Sequence, residues 1–110
     1  MNNYWEGKQV LIIGAARQGL AAACFLFQHG ATVTINDQRN ASELQTAQDT
    51  LKEFPIHWVL GSHPVELLDQ IDQVCLSGGI PLTLPLILEA ITRGILLTND
   101  TQIFLEVVPC

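Results

Sequence analysis

The stretch Gln9-Val10-Leu11-Ile12-Ile13-Gly14-Ala15-Ala16-Arg17-Gln18-Gly19 decides the fold. Its first five residues read as a strand, and after Gln9 they form an unbroken, mostly β-branched apolar run, which is the habit of a strand buried on both faces of a parallel sheet. A glycine-bounded turn follows at once. Beyond it Leu20, Cys24 and Phe27 recur at helical spacing, and Gly30 stands where a helix ends on a left-handed residue. Strand, glycine turn and helix in that order form the opening of a nucleotide-binding β-α unit.

The same alternation runs outward through the rest of the chain. Ala31–Asn36 reads as a second strand. Ser42 with Gln45 can form a capping box, and Leu44, Ala47, Leu51 and Phe54 then trace a helix that stops before Pro55. Ile56–Leu60 is a third strand. The turn Gly61-Ser62-His63-Pro64 leads into a short helix reaching Leu68. Gln73–Leu76 is a fourth strand, broken by Ser77-Gly78-Gly79. Pro85 opens a helix through Arg93, Gly94 ends it, and Ile95–Leu97 is a short fifth strand. Asn99 or Asp100 can cap a last helical turn. The expected fold is therefore α/β: a Rossmann-like, doubly wound, parallel sheet of five strands in a single domain.

Composition narrows the function. The chain has 110 residues, 48 % of them hydrophobic, enough for a packed core. Five basic against 11 acidic residues give a net charge of −6, too few cations for a nucleic-acid stripe or an anionic membrane surface. Met1–Glu6 lacks the basic and apolar regions of a signal peptide, and no run is long enough to span a bilayer, so a cytoplasmic domain is expected. The three cysteines show no zinc spacing, and His29, His57 and His63 belong to different elements, so no metal ligands are assigned. The only lysines, Lys8 and Lys52, lie in no P-loop. No catalytic residue is assigned.

Candidate ligand residues gather at the ends of strands. Gly14 permits the tight turn, and Gly19 allows close packing of helix on sheet. The free N–H groups near Arg17, Gln18 and Gly19 suit a diphosphate. Asp37 ends the second strand, where an acidic side chain can accept from a ribose or a base, and Arg39 shares its loop. Both read as surface-loop residues whose replacement would leave stability nearly unchanged. Ser77-Gly78-Gly79 follows the fourth strand and could approach a ligand through its backbone.

These segments, with Trp5–Gly14, Asp37-Gln38-Arg39, Leu76–Pro81 and Gly94–Asp100, resemble the N-terminal domain of the D-glutamate-adding Mur ligases of peptidoglycan synthesis. The resemblance covers almost the whole chain. It implies that the domain binds the UDP part of UDP-N-acetylmuramoyl-L-alanine. Gly14, Arg17, Gln18 and Gly19 would then lie at the diphosphate, Asp37, Gln38 and Arg39 around the uridine, and Ser77, Gly78 and Gly79 along a second wall. It implies a longer, three-domain chain as well. Its central ATPase domain and C-terminal domain would complete an ATP- and Mg²⁺-dependent amide ligase, and the 110-residue chain alone would be inactive. Two positions depart from the family pattern: Ala16 replaces a glycine and Gly78 a proline. The competing readings are an NAD(P)-binding oxidoreductase domain and a dinucleotide-sensing regulatory module, both of which share the fold.

Overall fold

The computed structural model describes residues 5–15, 17–76 and 80–98, apart from the side chains of Arg17 and Gln18. Its elements run β1 (Gln9–Ile13), α1 (Arg17–Gln28), β2 (Thr32–Asp37), α2 (Gln45–Thr50), β3 (His57–Leu60), a 3-10 helix (Val65–Gln70), β4 (Gln73–Leu76), α3 (Pro85–Thr92) and β5 (Leu96–Thr98). The five strands form one parallel sheet in the order β3-β2-β1-β4-β5. The expected doubly wound architecture is the one observed.

The pleat of β1 explains the layering. Val10 and Ile12 point into one core with Ala22, Ala23 and Leu26 of α1 and with Leu44 and Leu51. Leu11 and Ile13 point the other way, onto Leu68 and onto Leu86, Ile87 and Ala90 of α3. All four of these strand residues are fully buried, so a continuous apolar run was needed rather than an alternating one. Trp5 and Trp58 pack against the first core, as befits packing residues. Burial pushes the Cys75 thiol up to about 12, which removes it as a nucleophile. Among the described residues no helix is long and apolar enough to cross a membrane.

The chain reverses direction across the sheet between β1 and β4. From β1 it winds outward through β2 to β3, then returns to lay β4 and β5 on the other side. At such a switch point the loops at the carboxyl ends of the strands diverge and leave a crevice.

Helix α1 begins at Arg17, so the N–H groups expected at the helix start, near Arg17, Gln18 and Gly19, lie in its first turn. Two local expectations are corrected. The Ser42–Gln45 capping box does not form, because α2 has Leu44 as its N-cap and no side-chain cap. The reciprocal pair lies two residues earlier. Asn40 N–H donates to Glu43 Oε1 (3.0 Å) and Glu43 N–H to Asn40 Oδ1 (2.9 Å), while the Ser42 hydroxyl donates to Asn40 Oδ1. Helix α2 also ends at Thr50 rather than beside Pro55. Past Leu51 its bonds tighten to i→i−3, from Lys52 N–H to Asp49 O and from Phe54 N–H to Leu51 O. The expected last turn at Asn99 or Asp100 lies outside the described residues.

Candidate functional site

A cleft of about 430 Å³ opens at the switch point, lined by Gly14, Asp37, Gln38, Arg39, Glu43, His63, Ile80, Pro81 and Leu84. Its floor is set by Gly14. This residue continues the β1–β2 ladder, its N–H donating to Asn36 O at 2.7 Å, and then turns with φ of 106°. A side chain is strained at that φ, so the turn requires glycine. Gly19 lies in the first turn of α1. A Cβ there would fall on the Gly14 carbonyl oxygen and within 3.4 Å of Ile12 Cγ2, so helix and strand meet with no room to spare.

Asp37 is the electrostatic centre of the cleft wall. Its residue is only 7 % exposed. Oδ2 accepts the Ala15 N–H at 2.8 Å and Arg39 Nη2 at 2.9 Å, and Oδ1 accepts the Arg39 N–H at 2.8 Å and Arg39 Nε at 3.1 Å. Burial alone would raise the pKa of the carboxyl. The Arg39 guanidinium, the two backbone donors and the Arg39 charge outweigh it and hold the group at about 2. Four donors fill the four lone-pair sites of a carboxylate. The expectation that Asp37 is a surface-loop residue is thus overturned. It is a buried clamp tying the β1–α1 turn to the β2 loop. The Arg39 side chain is half exposed, and its Nη1 has no partner among the described residues.

Four of the residues singled out in the sequence, Gly14, Asp37, Gln38 and Arg39, come together in this cleft. Gly19 supports it from beneath. Ser77, Gly78, Gly79 and Ala16 lie outside the described residues, as do the side chains of Arg17 and Gln18; Ile80 and Pro81, just beyond the Ser77–Gly79 loop, line the cleft. Sequence reading missed Glu43, His63 and Leu84. For His63 a signal existed, since it sits in the turn directly after β3 and so at the same carboxyl end of the sheet.

The family model "Mur ligase MurD-like, N-terminal domain" matches residues 8–99, which include the whole sheet and every described residue of the cleft. The chain belongs to this family. A UDP-N-acetylmuramoylalanine–D-glutamate ligase of Enterococcus faecalis is 37 % identical over 107 residues, or 96 % of this chain but 23 % of that protein. The Mur ligase domain described here thus spans under a quarter of that relative's length. Among solved structures, a pseudomurein peptide ligase type C from Methanothermus fervidus superposes with a TM-score of 0.70 at 22 % identity, over 93 % of this chain and 21 % of its own. Shikimate dehydrogenase from Aquifex aeolicus gives 0.59 at 18 % identity, over 91 % of this chain and 44 % of its own. At these identities the two structures speak for a shared Rossmann-like fold alone.

Proposed function

We propose that this chain is the substrate domain of an ATP-dependent ligase that adds D-glutamate to UDP-N-acetylmuramoyl-L-alanine in peptidoglycan synthesis, and that its cleft holds the UDP. Membership of the MurD-like family supports the reaction. The observation that carries the binding role is the saturation of Asp37. An NAD-dependent enzyme uses a free acidic acceptor at this position for the ribose 2′-hydroxyl. Asp37 has none left to offer and serves as the mount for Arg39, whose remaining donors face a ligand that accepts, as uracil carbonyls and phosphate oxygens do.

In this reading the diphosphate sits over Gly14 and the first turn of α1, whose N–H groups at Arg17, Gln18 and Gly19 have no partner within the helix. Gln38 and Arg39 meet the uridine with Asp37 behind them, and Ser77, Gly78 and Gly79 close the second wall. The central ATPase and C-terminal domains of a longer cytoplasmic chain supply the rest. When bound there, ATP and Mg²⁺ activate the substrate carboxylate. The sequence has no P-loop, and no group of three His, Cys, Asp or Glu among the described residues could hold a metal ion. No step of the transfer is assigned to the residues of this chain. Their part is to bind and orient, which accelerates a reaction only when its other partner is held too.

Arg39→Ala tests the assignment. The guanidinium is half exposed, so water can replace it on Asp37, and stability should fall by no more than ~1 kcal/mol. Affinity for UDP, read by calorimetry, should fall by about 1–3 kcal/mol, the cost of a lost charge-assisted hydrogen bond. Unchanged UDP affinity in a folded Arg39→Ala protein would place the uridine elsewhere.

A further inference from the structure

Asn36 is the penultimate residue of β2, directly before Asp37, and is fully buried. Its Nδ2 donates to two backbone carbonyls, Val59 O at 2.8 Å and Ser62 O at 2.7 Å. Both amide hydrogens are thereby used, which fixes the orientation of the side chain. Oδ1 must then be the atom facing His63 Nδ1, 2.5 Å away. An amide oxygen can only accept, so Nδ1 carries the proton. In the neutral ring this leaves Nε2 as a bare acceptor. His63 lines the cleft beside Gly14, Asp37, Gln38 and Arg39, and no partner is bonded to its Nε2 among the described residues. Pro64 follows it, which disfavours a helical backbone at His63.

The cleft thus has two polar faces of opposite sense. Arg39 offers donors, and His63 offers an acceptor whose tautomer is set by a buried amide. The β2-β3 register joins them, with Asp37 opposite Leu60 and the Gly61 N–H donating to both Asp37 O and Arg39 O.

Resting on the proposed UDP site, we infer that His63 is a specificity-determining ligand residue whose Nε2 accepts a hydrogen bond from a neutral donor of the nucleoside. Uridine has two kinds of such donor, the ribose hydroxyls and the imide N–H of the base. Asn36 acts only through His63 and is a positioning residue.

Two substitutions separate contact from scaffolding. His63→Asn retains an amide nitrogen attached to Cγ, as Nδ1 is, and so keeps the donor to Asn36 while removing Nε2. His63→Gln does the reverse, extending an amide toward the place of Nε2 and giving up the bond to Asn36. Titrations would use UDP, 2′-deoxy-UDP, 3′-deoxy-UDP and N3-methyl-UDP. His63→Asn should melt with the parent chain and bind UDP ~3–10-fold more weakly, the effect of one neutral hydrogen bond. His63→Gln should recover part of that affinity. One of the three analogues should bind the parent more weakly by a similar factor, and His63→Asn should no longer distinguish it from UDP. That analogue identifies the donor as hydroxyl or imide. UDP binding by the parent with unchanged affinity in His63→Asn would overturn the role of His63 and leave the UDP site standing. Weakened UDP binding coupled to none of the analogues would overturn the acceptor role. Failure of the parent to bind UDP would overturn the site and this role together.

Discussion

Gly19→Val is expected to leave little folded protein, and Gly19→Ala to lower stability by about 2–3 kcal/mol, as overpacking of a filled core does. The sign is the informative part. Gly19 lies inside α1 with no positive φ, and exchanging a helical glycine for alanine ordinarily gains about 1 kcal/mol. Here the new Cβ lands on the Gly14 carbonyl oxygen, with Gly14 C at 3.3 Å and Ile12 Cγ2 at 3.4 Å. Neither side can yield. The Gly14 N–H is bonded to β2, while Ala22, Ala23 and Leu26 of the same helix are locked into the core. Thermal melts should show Gly19→Ala about 10–20 °C below the parent. Gly61→Ala is the control. Its φ of 96° carries backbone strain, but nothing lies within 4 Å of the added Cβ, so it should cost only ~1–2 kcal/mol. A Gly19→Ala protein that melts above the parent would show that helix and strand do not meet as described.

Asp37→Asn should cost about 2–4 kcal/mol at neutral pH, and the cost should depend on acidity. The substitution keeps the shape but points an amide N–H₂ at groups that are themselves donors, leaving a buried donor unsatisfied. The carboxyl is held at about 2 in the folded protein against an ordinary value of 3.8. A lowered folded value means that the unfolded chain takes up the proton first. The ionised clamp therefore contributes in full above about pH 4 and progressively less as pH falls toward about 2, a span worth ~2 kcal/mol. Urea denaturation across this range should show parent and Asp37→Asn converging as the pH is lowered. A gap of constant size down to about pH 2, or no gap at neutral pH, would contradict the clamp.

How much of this could be read from sequence varies with the range of the forces involved. Strands β1 and β4 were legible to the residue, because burial on both faces leaves a continuous apolar run with sharp ends. Gly14 and Gly30 were legible too, since each serves a backbone conformation that other residues adopt at a cost. Helix α2 was not. Its apolar spacing continues to Phe54, but the boundary is set by which backbone groups find partners, and Asn40 and Glu43 captured the cap that Ser42 and Gln45 could have made. The position of Asp37 was legible and its state was not. An acidic residue at a strand end can face water or a ligand, or turn back to its own chain. Ala15, which supplies a decisive donor, is brought to it only by the pairing of β1 with β2. His63 could be placed from its position after β3, but its bond to Asn36 was hidden for the same reason, as the two are remote in sequence and are brought together only by the pairing of β2 with β3.

The central claim is that the cleft at the β1/β4 switch point is a uridine diphosphate site rather than an NAD site. Parallel calorimetric titrations of the chain with UDP-N-acetylmuramoyl-L-alanine, UDP and NADH test it most directly. With Asp37 saturated and Arg39 presented as a donor, both uridine compounds should bind with one site per chain, and each more tightly than NADH. NADH binding more tightly than both would contradict the account.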